Sequence, residues 1–164
     1  MIRQGGFRGL SRAQKEIIGH WEAVRGDRSL PGKSDIDPGA LRTHLASISI
    51  IELSAHGEAR FRIAGSGLRR MLGGEMRGRF LNELESDLAA MWSLGLNGAI
   101  RRAEPVGGIV ERSKDQHAWL RLPLEAENGA RNLVMCHDVL LSNRKPERPE
   151  HEDFLSALTR GLAA

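Results

Sequence analysis

Apolar positions recur at helical spacing near the start of the chain and switch to alternation further on. Ser11 with Gln14 three residues later forms a capping-box pattern. Ala13, Ile17, Ile18, Trp21 and Val24 then fall on one stripe before Gly26 offers a stop, which predicts an amphipathic helix over 11–25. A turn-rich connector follows, DRSLPGKSDIDPGAL. In it Asp37 is a good N-cap and Pro38 suits a first helical position, so a short helix is expected over 38–45.

From Ala46 the period changes. ASISIIEL is rich in β-branched residues, and EARFRIAG alternates Ala59, Phe61 and Ile63 with Arg60 and Arg62. The two read as a hairpin with one wet face. Gly73, Gly74 and Gly78 then break SGLRRMLGGEMRGRFLNEL into short helical pieces. Ser86 caps a longer helix expected over 86–102, which Pro105 closes. Three extended segments end the body: PVGGIVERS, QHAWLRLPLEA and RNLVMCHDVLLS. In the middle one Ala118, Leu120, Leu122 and Leu124 alternate with His117, Trp119, Arg121 and Pro123, so the leucine face is expected to be core. After the polar run NRKPERPEHED, a short helix is expected over 151–162.

This order predicts an α+β fold: one antiparallel five-stranded sheet with helices on one face, flanked by N- and C-terminal helices. The organisation is an N-terminal helix and connector (1–36), a core (37–142) and a C-terminal tail and helix (143–164). A chain of 164 residues can bury a sizeable core without staples. Cys136 is the sole cysteine, so neither a disulfide within the chain nor a Cys-pair metal site can form. No apolar stretch is long enough for a membrane span, and the N-terminus lacks the apolar core of a secretory signal, so a cytoplasmic protein is expected.

The formal charge is only +3, but it is unevenly spread. Residues 1–33 carry seven basic side chains against three acids, and residues 60–80 carry Arg60, Arg62, Arg69, Arg70, Arg77 and Arg79 against Glu75 alone. Solvated faces account for both segments, while nucleic acid, an acidic partner or a phosphorylated ligand is the alternative. The four Phe, three Trp and absent Tyr leave little material for stacking bases.

Catalytic signatures are missing. Gly65-Ser66-Gly67 is a turn and not a nucleophile elbow, and there is no phosphate loop, dinucleotide motif or HExxH helix. The histidines at 20, 44, 56, 117, 137 and 151 are scattered singly. Cys136 and His137 adjoin on a strand and therefore point to opposite faces, so a buried structural cysteine is expected there and not a nucleophile. No enzyme is expected.

Three motifs in order carry a resemblance: Pro31 to Pro38 (PGKSDIDP), Phe61 to Gly65 (FRIAG) and Gly73 to Gly78 (GGEMRG). With HWEAVRG before them and WLRLPLEAENG after, the chain resembles a bacterial PAS-like family over about 19–141. The resemblance implies a stand-alone sensory or protein-interaction module in signal transduction, passing its signal to an unknown protein partner. A ligand would lie in the cleft between sheet and helices, near Met71, Trp92, Leu96, Ile109 and Leu120, with Ser66 or Asn97 orienting a polar group. The same residues can equally fill a core.

No cofactor is expected. The cysteine-containing flavin motif of some PAS relatives is absent, and no histidine lies between 57 and 116 to ligate haem, leaving only His44 or His137 as substitutes. Trp119 is expected on the outer sheet face, covered by Ile17, Trp21 and Val24 of the first helix, within the chain or across a homodimer. The rival classes are a nucleic-acid-binding regulator using the 60–80 arginines and an enzyme on the same scaffold.

Overall fold

The computed structural model describes residues 10–142, so the helix expected over 151–162 lies outside the described residues. Helix α1 (Arg12–Arg25) leads into strands β1 (Ile48–Leu53) and β2 (Ala59–Ala64). Three short helices follow, α2 (Ser66–Leu72), α3 (Ser86–Ser93) and α4 (Leu96–Arg102). Strands β3 (Val106–Glu111), β4 (Asp115–Leu124) and β5 (Leu133–Ser142) complete the sheet. Its order is β2-β1-β5-β4-β3, antiparallel throughout.

The sheet is the middle of three layers. On one face α1 lays Ile17, Ile18 and Trp21 over Ile48, Ile50, Leu120, Leu122, Leu124 and Met135. On the other, Ile51, Phe61, Val134 and Cys136 pack with Leu68, Met76, Trp92 and Leu96 from the segment that holds α2 to α4. Strand β4 is therefore buried on both sides, which a period-2 pattern with one apolar face does not foretell.

Helix α1 begins as expected: Ser11 accepts from the Gln14 amide (3.2 Å) and the Gln14 side chain accepts from the Ser11 amide (2.9 Å). Its Trp21 indole donates to the Pro123 carbonyl at 2.9 Å. The connector is tied to β4, Lys33 donating to the Glu125 carbonyl (2.8 Å) and Glu125 to that of Pro31 (2.9 Å). The aspartates of SDIDP organise it: Asp35 accepts from the Gly32 amide (2.8 Å) and pairs with Arg28 (2.8 Å), while Asp37 accepts from the Gly39 amide (2.9 Å). The Gly32 hydrogen bond first, and then Arg28, hold the Asp35 pKa below its ordinary value.

Two expected helices come out differently. Residues 38–44 form consecutive turns leading to a 3-10 turn at Leu45–Ser47. Only Leu41 is buried there, so no apolar stripe stabilises a true helix. The helix expected over 86–102 breaks at Leu94 and Gly95, because Gly95 sits at φ +71° beneath Trp119. Gly65 of the FRIAG motif is needed for close approach: a Cβ there would run into the carbonyls of Leu45 and Ala46. In β2 a register shift opposite Ile50 and Ile51 leaves Phe61 buried but Ile63 exposed.

Candidate functional site

The most unusual chemistry in the described residues is a buried polar cluster on the helix side of β4 and β5. His117, Arg121 and Asp138 are each at most 1% exposed. Trp119, His117 and Arg121 share one face of β4 by alternation, and register places Asp138 opposite Trp119.

Asp138 accepts from both ends of the guanidinium, Nη1 to Oδ2 and Nη2 to Oδ1, each at 3.0 Å. His117 Nε2 lies 2.8 Å from Oδ1, and since a carboxylate can only accept, the ring nitrogen is the donor. Arg121 also donates from Nε to the Leu94 carbonyl (2.9 Å), from Nη1 to that of Leu120 (2.9 Å) and from Nη2 to that of Met91 (3.1 Å). All five guanidinium hydrogens therefore have acceptors. Burial works against the Arg121 charge, but Asp138 more than offsets it and the pKa is raised.

Met91 and Leu94 lie at the C-terminal end of α3, where carbonyls have no partner within the helix and attract positive charge. Arg121 thus bolts the α3–α4 joint to the centre of the sheet. Trp119 stacks against the bolt, its ring centroid 5.6 Å from the guanidinium carbon, and Trp92 lies over His117 at 6.2 Å with 27° between planes. On the opposite face of β4, buried Gln14 of α1 donates to the Trp119 carbonyl at 3.1 Å.

The residues expected in the cleft divide. Trp92, Leu96 and Met71 do meet on the helix side. Leu120 does not; it lies under α1 on the other face, together with Leu122 and Leu124 of the same strip. Ile109 pairs with Ala118 and so shares that α1 side as well. Ser66 and Asn97 are exposed and orient nothing in the interior.

The expected interface is corrected in the same way. Ile17 and Trp21 are buried against the chain's own sheet, Val24 is half-buried, and Trp119 faces α4. The face assignment failed because Arg121 and His117 signal a wet strand face, whereas here both donate to the buried carboxylate of Asp138. The only advance signal was Asp138, a charge within the apolar run of β5.

Cys136 also lies on the helix side, buried, with burial pushing its thiol pKa up to about 12. His137 faces the α1 side, its ring 6.0 Å from His44 and edge-on to it, and burial lowers its pKa to about 4.

A family model described as a PAS domain matches residues 10–103, more than half of the chain. The chain belongs to the PAS domain family. The match spans α1 to α4; β3 to β5 complete the five-stranded sheet of the domain.

No curated protein matches the sequence of this PAS domain. Among solved structures it is similar to a light-oxygen-voltage domain studied with a flavin analogue, at 16% identity and a TM-score of 0.45, over 75% of this chain and 93% of that one. It is also similar to a fungal LOV domain photoreceptor (16%, 0.39, 66% and 94%). An RNA-binding light-oxygen-voltage receptor matches at 15% and 0.42 over 81% of this chain, but only 42% of that receptor is covered. These low-identity likenesses carry no ligand or activity to this PAS domain. No helix of the described residues is long and apolar enough to cross a membrane.

Proposed function

We propose that this PAS domain is a sensory and protein-interaction module that uses neither flavin nor haem, catalyses no reaction, and passes the state of its α3–α4 joint through β4 to α1 and on to a partner chain, in the first instance a second copy. The observation that carries this reading is the two-sided engagement of β4. Arg121 holds the joint through Met91 and Leu94 on one face, while Gln14 and Trp21 of α1 hold the Trp119 and Pro123 carbonyls on the other. A shift of the joint must therefore be accommodated by the strand on which α1 rests.

Packing supports the absence of a flavin. Phe61, Leu68, Met76, Trp92 and Leu96 occupy the helix side at 0–3% exposure, with the Arg121 guanidinium in their midst, and the one thiol is a buried group on β5. The two histidines named for haem, His44 and His137, lie on the α1 side, and His117, which faces the helix side, is engaged by Asp138.

The test is hydrogen exchange together with light scattering on Asp138→Asn, which loosens the bolt, and on Gln14→Met, which cuts the link at α1 without disturbing the joint. Both variants are expected to speed exchange of the α1 amides and to shift the monomer–dimer balance. Folded variants with unchanged α1 exchange and unchanged mass sink the relay, and flavin or haem absorbance in the purified protein sinks the cofactor-free reading.

A further inference from the structure

We infer that the surface formed by α2 and the turn after it is a docking site for an acidic segment of a partner protein, read by Arg70, Arg77 and Arg79. The six arginines of residues 60–80 are not equivalent in the folded chain. Arg60 and Arg62 are neutralised by Glu52 (2.9 and 3.6 Å), and Arg69 by Glu75 (3.3 Å). The guanidinium groups of Arg70, Arg77 and Arg79 have neither an ion pair nor a hydrogen bond among the described residues, and all three are exposed. The nearby acids are already engaged: Glu75 accepts from the Arg77 amide as well as from Arg69, and Glu83 accepts from the Phe80 amide.

The three charges stand on fixed backbone. Met76 is fully buried and anchors the turn, the Arg79 amide donates to the Met76 carbonyl (2.9 Å), and Gly78 and Arg79 exchange hydrogen bonds with Phe61 of β2 (2.7 and 2.9 Å). Gly74 donates to the Arg69 carbonyl at 2.8 Å, which joins the turn to the end of α2. A guanidinium held this way gives up little backbone freedom when it meets a carboxylate.

The number of free charges selects the partner. Tight nucleic-acid binding by phosphate contact draws on roughly 6–10 such contacts. Three free arginines beside a fixed glutamate fall short of that, whereas a short acidic peptide needs no more. This inference rests on the interaction-module reading only in taking the partner to be a protein, and its test does not involve α1 or the dimer.

The experiment titrates the full chain with a ten-residue glutamate peptide and, separately, with a 20-base-pair DNA duplex, following backbone amide NMR shifts at fixed salt. The expected result is that the peptide shifts the amides of 66–80, and that Arg77→Glu/Arg79→Glu weakens its binding at least about fivefold. Arg101→Glu/Arg102→Glu removes the same charge from the end of α4 and is expected to leave the binding within about twofold. Equal loss from both pairs, no shifts in 66–80, or tighter binding of the duplex than of the peptide overturns the assignment. If α1 exchange and dimerisation respond as above while these shifts are absent, only the docking site fails.

Discussion

The indole of Trp119 occupies the space that a side chain at Gly95 would need. A Cβ built there collides with Cζ3 of the ring and lies 3.0 Å from Cη2 and 3.1 Å from Val106 Cγ2, at a backbone φ of +71°. Gly95→Ala is therefore expected to lower stability by about 2–4 kcal/mol, combining left-handed strain with the clash. In a Trp119→Ala background the same step is expected to cost only the backbone part, about 1 kcal/mol. Urea unfolding of the four proteins of this cycle measures both, and equal steps in the two backgrounds rule out the ring as the cause.

Removing half of the bolt is expected to be worse than removing all of it. Asp138→Ala leaves Arg121 buried without a counter-charge and is expected to cost about 3–5 kcal/mol. The double variant Arg121→Met/Asp138→Leu replaces both charges with apolar groups of similar size and is expected to recover much of that loss, although His117 loses its acceptor. Denaturant midpoints with an unchanged m-value are the readout.

Trp21 combines packing with a hydrogen bond. Trp21→Phe keeps most of the buried ring but leaves the Pro123 carbonyl without its donor, an expected loss of about 1–3 kcal/mol. Trp21→Ala opens a cavity beneath α1 and is expected to cost about 3–5 kcal/mol. Thermal melts order the variants, and similar midpoints for Phe and Ala exclude the packing contribution.

The pH dependence follows from His137. Burial lowers its folded pKa from 6.5 to about 4, with Asp138 opposing, and His44 and Arg121 reinforcing, the decrease. Between those values the unfolded chain binds the proton that the folded chain refuses, so stability falls as pH drops through this window and levels off below it. The contribution is at most ~1.4 kcal/mol per pH unit. His137→Gln is expected to flatten the decline between pH 6.5 and 4, as measured by urea unfolding at several pH values; a slope identical to that of the unsubstituted chain removes His137 from the account.

Much of the fold was legible in particular residues. Ser11 and Gln14 mark the start of α1, the isoleucine-rich stretch at 48–51 marks β1, and FRIAG places the end of β2 where Gly65 meets the Leu45 and Ala46 carbonyls. The helix break at Gly95 was not legible, because a single glycine in a helical pattern is ordinarily tolerated. What ends the helix is Trp119, 24 residues away and on another element.

The site was less legible. Met71, Trp92 and Leu96, grouped by the cleft that the PAS resemblance implies, lie in one apolar cluster on the helix side. Leu120 and Trp119 were exchanged between faces, since alternation separates two faces of a strand without saying what covers each.

The sequence by itself therefore determined α1, the five strands and their order along the chain, because capping, periodicity and turn chemistry act between residues a few positions apart, while three ordered motifs carried the PAS resemblance. Only the tertiary structure decided that β4 is covered on both sides, and hence that Arg121, Asp138 and His117 form an interior bolt and not a solvated face. The physical reason is that a buried charge is affordable only beside its partners. Those partners, Met91, Leu94 and Asp138, reach Arg121 from distant parts of the chain through packing alone.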